Sequence, residues 1–462
     1  RNSVVMRPIC VVSLAGVALL WSACLAGAEK HHGIVFDAGS SGSRIHVYTW
    51  ETGGSHGSFD LVSDDLLKMK PGLSSFKDDP SKAGSSLDAL LTYGYEKVPE
   101  AKREATPAYL MATAGLRLVG EEKKDQILRS VCDTLEASQF EFECKNANLL
   151  SGFDEGFYGW VTVNYLKDSL KTTSSKTFGT IDLGGGSVQI VFEPPSGWAS
   201  KMPEQYKGVV PLASGTKDVY VKSHLGYGLD EARRTMNAIA AKAGAAHPCL
   251  PQGYSGTAGT SGGGTAQFKG LGDYEKCMAL TEQLFPAAEC PKEPCSIQGA
   301  FQPPPKDTTF IGFSYMYDRT KQIGLIDGKS ETYGEQQMTI KQIKTGAASL
   351  CAVSFLDLQR KYDKHPELDK VQNFCGDAVF IALMLEKGFG FSENTVFTMT
   401  NKIKDVEIVW TLGAMIAKVN EANASSGGML MYIVIVGLIA AAVFAFRGRI
   451  FGSSNSGGLP YR

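Results

Sequence analysis

The chain has no Cys-x-x-Cys pair and no His-Glu-x-x-His among its seven histidines. The usual zinc-ligand spacings are therefore missing, and a zinc hydrolase is not expected. No complete phosphate-binding P-loop is present either. In GLIDGKS (324–330) three residues separate Gly324 from Gly328, where four are required. GTSGG (259–263) fits Gly-x-Ser-x-Gly but sits in a glycine-rich tract read as a flexible loop, without the strand-to-helix setting of a nucleophile elbow. There is no basic block and no acidic tail, and 46 Lys+Arg against 48 Asp+Glu leave a net charge of −2. That balance gives no reason to expect a nucleic-acid partner. N-x-S/T sequons are scarce: Asn423-Ala424-Ser425 is the one present.

Long apolar runs are confined to the two ends. ICVVSLAGVALL (9–20) follows Arg1 and Arg7 and precedes LAGA (25–28). This reads as a secretory signal peptide over 1–28, with the mature chain starting near Glu29. MLMYIVIVGLIAAAVFAF (429–446) carries no charge; as a helix it spans about 27 Å, close to a hydrocarbon core. RGR (447–449) follows, and arginines mark the cytoplasmic side. The expectation is a single-pass protein with a transmembrane helix at 429–446 and a cytoplasmic tail at 447–462. Residues 29 to 426 would then face the cell exterior or the Golgi or ER lumen. Of ten cysteines, Cys10 and Cys24 fall in the leader. The other eight are an even set, as disulfides in an oxidising compartment require. Eight cysteines allow 105 connectivities; short loops favour Cys132–Cys144, Cys249–Cys277, Cys290–Cys295 and Cys351–Cys375.

The length suggests two or three domains of ordinary globular composition. Within it, IVFDAGSSGSRIHVY (34–48) is an apolar strand, an aspartate, a glycine–serine turn and a second strand. Alone, such a cluster is a hairpin turn. The same pattern recurs in FGTIDLGGGSVQIVFE (178–193), and Asp37 and Asp182 stand 145 residues apart, one domain length. That spacing points to a duplicated domain. Consecutive amides in such turns can form an anion nest, serine hydroxyls add donors, and Arg44 adds a charge suited to phosphate. Two nests would grip successive phosphates, and the two aspartates could hold a hydrated divalent cation between them.

These motifs resemble the apyrase family, the ecto-nucleoside triphosphate diphosphohydrolases and their lumenal nucleoside diphosphatase relatives. FDAGSSGSR (36–44), ATAGLRL (112–118), LLSGFDEGFYGWVTVNYL (149–166), GTIDLGGGSVQI (179–190) and YVKSHLGYGLDEA (220–232) match its regions in order, and FCGDAVF and VWTLGAM resemble its C-terminal segments. The resemblance implies an α/β fold of the actin-like superfamily: two ribonuclease-H-like lobes with an active-site cleft between them. Lobe I would cover 29–152, with 395–424 returning to it, and lobe II 153–394. It implies hydrolysis of the terminal phosphate of ATP, ADP, GDP or UDP by an activated water, with Ca2+ or Mg2+. Glu155 would be the general base, with Ser187, Gln189 and Thr113 around the attacking water. Ser40, Ser41, Gly42, Ser43, Arg44, Gly184, Gly185 and Gly186 would bind phosphates, and Asp37 and Asp182 would hold the cation through water. Tyr315 and Tyr317 are candidates for stacking on the base, although such aromatics are more often core. Trp160 and His224 read as packing residues.

Three positions depart from the family pattern. Asp154 replaces a second glutamate before the base, Gly226 replaces a frequent cysteine, and Gly186 replaces the usual alanine. The resulting DLGGGS also occurs in exopolyphosphatases, so an exopolyphosphatase-like hydrolase is one alternative; DEGFYGW and VWTLG favour apyrase. A catalytically silent nucleotide-binding surface receptor is another, opposed by the presence of Glu155, Ser187 and Gln189. Oligomeric state is not fixed by the sequence.

Overall fold

The computed structural model describes residues 29–39, 42–53, 59–212, 214–325 and 335–423. The leader, Ser40 and Ser41, most of GLIDGKS, the apolar run 429–446 and the tail lie outside the described residues. No helix among the described residues is long and apolar enough to cross a membrane.

The apolar run ending on Asp37 forms β1 (Lys30–Ala38), and the run after the glycine–serine turn forms β2 (Ser43–Glu51). With β3 (Asp60–Met69), β4 (Ala108–Ala112) and β5 (Ala147–Leu149) they make a five-stranded sheet in the order β3-β2-β1-β4-β5. β1, β4 and β5 run parallel. After β4 comes the short helix α1 (Ala114–Arg117), then α2 (Glu121–Glu136). The helical spacing of Ile127, Val131 and Leu135 gives α2 one apolar face, which joins Phe36, Ile45, Val47 and Leu110 in the first core.

α3 (Gly152–Leu166) leads to a second sheet. β6 (Gly179–Leu183) and β7 (Ser187–Phe192) form its hairpin, and β8 (Lys207–Leu212) and β9 (Gly215–Leu225) extend it on one side. The glycine tract at 253–264, read as a flexible loop, instead contains the strand β11 (Ser255–Gly259) and the turn that leads to its antiparallel partner β12 (Thr265–Gly270). Fully buried Phe268 pins that pair into the second core, and β10 (Ala246–His247) runs parallel to β12. On the other side of β6 lie β13 (Phe310–Ser314), β14 (Gln336–Thr339) and β15 (Val396–Met399). The order is β14-β15-β13-β6-β7-β9-β8, with β6, β13 and β15 parallel. Its inner part, β9-β7-β6-β13-β15, repeats β3-β2-β1-β4-β5. The duplication read from two turns thus extends to the strand order of both sheets.

One boundary differs from expectation. The stretch 395–424 was expected to return to the first half, but its start is β15, paired with β13 in the second sheet. Phe397 and Met399 are fully buried there, which fixes the strand before the chain leaves. Residues 410–423 are helical. At the start of that helix Thr411 Oγ1 bonds the Tyr48 hydroxyl of β2 at 2.7 Å, and the Gly413 amide donates to Thr162 Oγ1 of α3 at 2.8 Å.

The chain forms two compact units. The larger, His32–Tyr48 with Ser63–Met415, contains every site residue considered below. In the smaller, Trp50 stacks on His31 at 5.7 Å and on Phe59 at 5.0 Å. All four disulfides follow the short-loop pairing: Cys132–Cys144, Cys249–Cys277, Cys290–Cys295 and Cys351–Cys375.

Candidate active site

Asp37 lies one residue before the end of β1 and Asp182 one before the end of β6, each next to its glycine-rich turn. Both are buried, at 3% and 8% exposure, as is Glu155 at 8%. Glu155 stands in the first turn of α3. Ser151 caps that helix by accepting from the Asp154 amide, and the Asp154 carboxylate accepts from the Ser151 hydroxyl at 2.7 Å. Asp154, the departure from the family pattern, is thereby used in the cap.

The Glu155 carboxylate is ion-paired with Arg117 of α1. Gln189, level with Asp182 across the β6–β7 hairpin, brings its Nε2 to 3.2 Å from Glu155 Oε2, 2.8 Å from Ser187 Oγ and 3.0 Å from Ser223 Oγ. Glu155, Ser187 and Gln189 are thus drawn into one network. Arg117 and Ser223 belong to it and were not singled out in the sequence. Both fall inside matched stretches, ATAGLRL and YVKSHLGYGLDEA, but nothing local marks either as closing on Glu155. Thr113 precedes α1, is buried, and ties that helix to β1 through its amide, which donates to the Ala38 carbonyl at 3.2 Å.

The second glycine loop is held from behind. α4 (Leu229–Lys242) abuts it, and the Leu229 and Asp230 amides donate to the carbonyls of Gly184 and Gly185, both at 2.9 Å. The Gly226 amide takes the Gly186 carbonyl at 2.8 Å. The loop carbonyls are engaged, while the amides of Gly185 and Gly186 have no backbone acceptor among the described residues. That leaves donors for an anion, as in a nest. A Cβ on Gly186 would stand 2.8 Å from Ala114 Cβ, which accounts for glycine where alanine is usual. In the first loop the Gly39 amide bonds the Gly42 carbonyl at 3.0 Å, and a Cβ on Gly42 would meet the Met69 carbonyl oxygen at 2.7 Å. Ser43 is buried, with no partner for its hydroxyl among the described residues. Ser40 and Ser41 lie outside those residues. Arg44, expected on phosphate, bonds Asp37 at 2.5 Å.

Burial is the largest cause that pushes the Glu155 carboxyl up to about 8; Arg117 opposes it, and the charges of Asp182 and Asp37 add to it. Burial likewise raises Asp182 to about 6, opposed by the neighbouring Ser314 hydroxyl and reinforced by Asp37. Asp37 Oδ1 is buried without a hydrogen-bond partner among the described residues. Three crowded carboxyl groups with an unused buried oxygen fit a hard divalent cation, which takes oxygen ligands and keeps waters. The tyrosines differ in exposure: Tyr317 is buried in the second core, and Tyr315 is half-buried and packs against the same core, with the Arg319 guanidinium 4.8 Å over its ring. Trp160 is fully buried. His224 packs between Tyr227 and Phe389, with its Nε2 unpartnered among the described residues.

Residues 24–429 match the model of the GDA1/CD39 (nucleoside phosphatase) family. A guanosine-diphosphatase of Schizosaccharomyces pombe is 34% identical over 426 residues, covering 85% of this chain and 74% of the relative. An ectonucleoside triphosphate diphosphohydrolase 5 of Ailuropoda melanoleuca is 32% identical over 404 residues, covering 84% and 87%. Among solved structures, a nucleoside triphosphate hydrolase of Neospora caninum aligns with a TM-score of 0.61 at 16% identity, over 88% of this chain and 96% of that one. This last is a likeness of fold.

Proposed function

The chain belongs to the GDA1/CD39 family of nucleoside phosphatases, and from that premise we propose how its own residues carry out the hydrolysis. The protein removes phosphate from nucleoside tri- or diphosphates in a divalent-cation-dependent reaction. Its two sheets with their helices act as ribonuclease-H-like lobes with the nucleotide in the cleft between them: lobe I over 29–152, lobe II over 153–394 together with β15, and the return to lobe I after it.

Glu155 takes a proton from water as the water oxygen attacks the terminal phosphorus. The bond from phosphorus to the bridging oxygen breaks, and the shortened nucleotide leaves with that oxygen. Gln189, Ser187 and Thr113 hold the attacking water; Gln189 is itself oriented by Ser223. Amides of the two glycine loops, with Ser40, Ser41 and Ser43, receive the phosphates. Arg44 acts mainly by holding Asp37. Asp37 and Asp182 would hold the cation through water, and Ca2+ or Mg2+ would supply charge neutralisation on the phosphates. Catalysis is then positioning and charge stabilisation, as phosphoryl transfer requires. Tyr315 is the remaining candidate for the nucleobase.

The observation that carries this reading is the convergence of Glu155 with Gln189, Ser187 and Arg117, beside the two aspartates. Four disulfides and the terminal apolar runs support a catalytic region outside the cytosol, anchored through one helix. The test is phosphate release by the purified protein from ATP, ADP, GDP, UDP and polyphosphate, with calcium or magnesium and with excess chelator. Release from nucleotides that stops with chelator is expected, and its substrate ranking decides between surface-type and lumenal-type roles. Release from polyphosphate alone, or undiminished release in chelator, would overturn the corresponding part.

A further inference from the structure

α3 opens on Gly152, directly after its cap Ser151. Glycine at a helix end often answers a need for positive φ, but Gly152 is not among the residues with one. Its backbone would suit any residue, and alanine is the better helix former. The space around it gives the reason instead. A Cβ at Gly152 would stand 2.6 Å from Arg117 Nη1 and 2.6 Å from Ser223 Cβ, and nearer still to Ser223 Oγ.

Both neighbours belong to the network around Glu155. Arg117 arrives from α1, which follows β4 of the first sheet; Ser223 arrives from β9 of the second. The Arg117 guanidinium turns Nη1 toward Gly152 and pairs Nη2 with Glu155 Oε2. Ser223, level with Gln189 in the β7–β9 pair, accepts from Gln189 Nε2 at 3.0 Å. One turn on, Gly156 keeps the same face of α3 bare. A Cβ there would stand 3.0 Å from Gln189 Cβ and 3.1 Å from its Cγ. Chain from both sheets therefore meets where α3 has no side chain.

The charged groups acting on Glu155 are Arg117 of α1, Asp182 of β6 and Asp37 of β1. Asp154, on its own helix, is engaged by the Ser151 hydroxyl, and Gln189 and Ser223 are neutral. Arg117 is thus the charge through which crowding at Gly152 reaches Glu155.

We propose that Gly152 is a positioning residue for the hydrolysis: its missing side chain is the space in which Arg117 and Ser223 close on Glu155 and Gln189. This rests on the reading of Glu155 as the base given above. A methyl group at 152 displaces the guanidinium first, because that is the free end of a flexible chain, while the helix and its cap remain.

The test uses the full chain as wild type, G152A, S223G, R117M, the doubles G152A/S223G and G152A/R117M, and E155A. It measures kcat and KM for ATP and GDP, the pH profile of kcat/KM, and melting temperatures. G152A should lower kcat by roughly 10–100-fold, the cost of a misplaced group. KM should stay within about two-fold, because the phosphate loops are untouched. The acid limb should move up by about half a pH unit as Arg117 leaves Glu155, and the same substitution should not move it in R117M. G152A/S223G is freed of the β9 contact but keeps that with Arg117, so its limb should still move relative to S223G; it carries the test if G152A does not fold. An unmoved limb in G152A, whatever its melting temperature, overturns the inference, as does an equal shift in R117M. In each of these cases E155A stays impaired. Near-normal turnover in E155A overturns the reading of Glu155, and this inference with it.

Discussion

As the proposed general base, Glu155 would have to be ionised to accept a proton, yet burial holds its carboxyl up at about 8, with Asp182 and Asp37 pushing the same way. Arg117, ion-paired with it, opposes them. Glu155→Ala should lower turnover by roughly 10²–10⁴-fold with nucleotide affinity largely kept; near-normal turnover would remove Glu155 as the base. Arg117→Met takes away the stabilising charge, so the Glu155 carboxyl rises further and less of it is ionised at neutral pH. The acid limb of kcat/KM should move up by about one pH unit, with activity recovered in alkali. An unmoved limb in the measured pH–rate profile would show that Arg117 does not tune the base. At this scale the sequence was uneven. The aspartates stand at motif positions whose chemistry can be named from residue type, whereas Glu155 and Gln189 are named only through the family resemblance. Arg117 and Ser223 are defined by where α1 and β9 place them, 38 and 68 positions from Glu155, and no local pattern encodes such contacts. Arg44 was read as a phosphate ligand because arginine suits phosphate; its partner is the carboxylate seven residues before it.

Among the elements, α4 does the most for the site without touching its chemistry. Its first amides hold the Gly184 and Gly185 carbonyls, and Gly228 lets the helix approach. A Cβ at Gly228 would lie 2.3 Å from the Ser187 amide nitrogen and 2.4 Å from the Gly185 carbonyl, with backbone on every side and no flexible chain to yield. Gly228→Ala should push α4 from the loop, lower the melting temperature, raise KM and lower kcat. Differential scanning calorimetry and steady-state kinetics check this, and a variant with wild-type values in both would show that the loop does not depend on α4. A helix with plain apolar periodicity is legible: the spacing of Ile127, Val131 and Leu135 marks one apolar face, and α2 spans Glu121–Glu136. The β11–β12 pair is not, because the Gly and Ala that fill it carry little strand preference. Its conformation depends on cross-strand pairing and on Phe268 reaching a core built from distant residues.

At the scale of the molecule, two turns in the sequence implied two related halves, and the matching strand orders bear this out. The second half adds strands at both edges and a larger core, features with no counterpart in the repeat and hence no signal in it. That half also buries His224 and His247, at 2% exposure each. Burial, with a lesser push from Lys222, holds the His224 imidazole down at about 3, and burial holds His247 at about 4; both are 6.5 in the open chain. Between about 4 and 6.5 the unfolded chain therefore binds protons that the fold refuses. Stability contributed by these groups is intact above 6.5 and is lost as pH falls, by at most about 1.4 kcal/mol per pH unit for each. Glu155 and Asp182 run the other way: their folded values exceed the unfolded ones, so their cost shrinks as pH falls. The wild-type curve alone thus mixes opposite slopes, and the histidines show in a difference. Urea unfolding of the wild type and of a His224→Asn, His247→Asn double variant, compared at pH 4.5, 5.5, 6.5 and 7.5, isolates them. The wild type should lose ground against the variant steadily below pH 6.5, and the gap should be constant above it. A gap that is the same at every pH would mean that both imidazoles reach solvent before the fold opens.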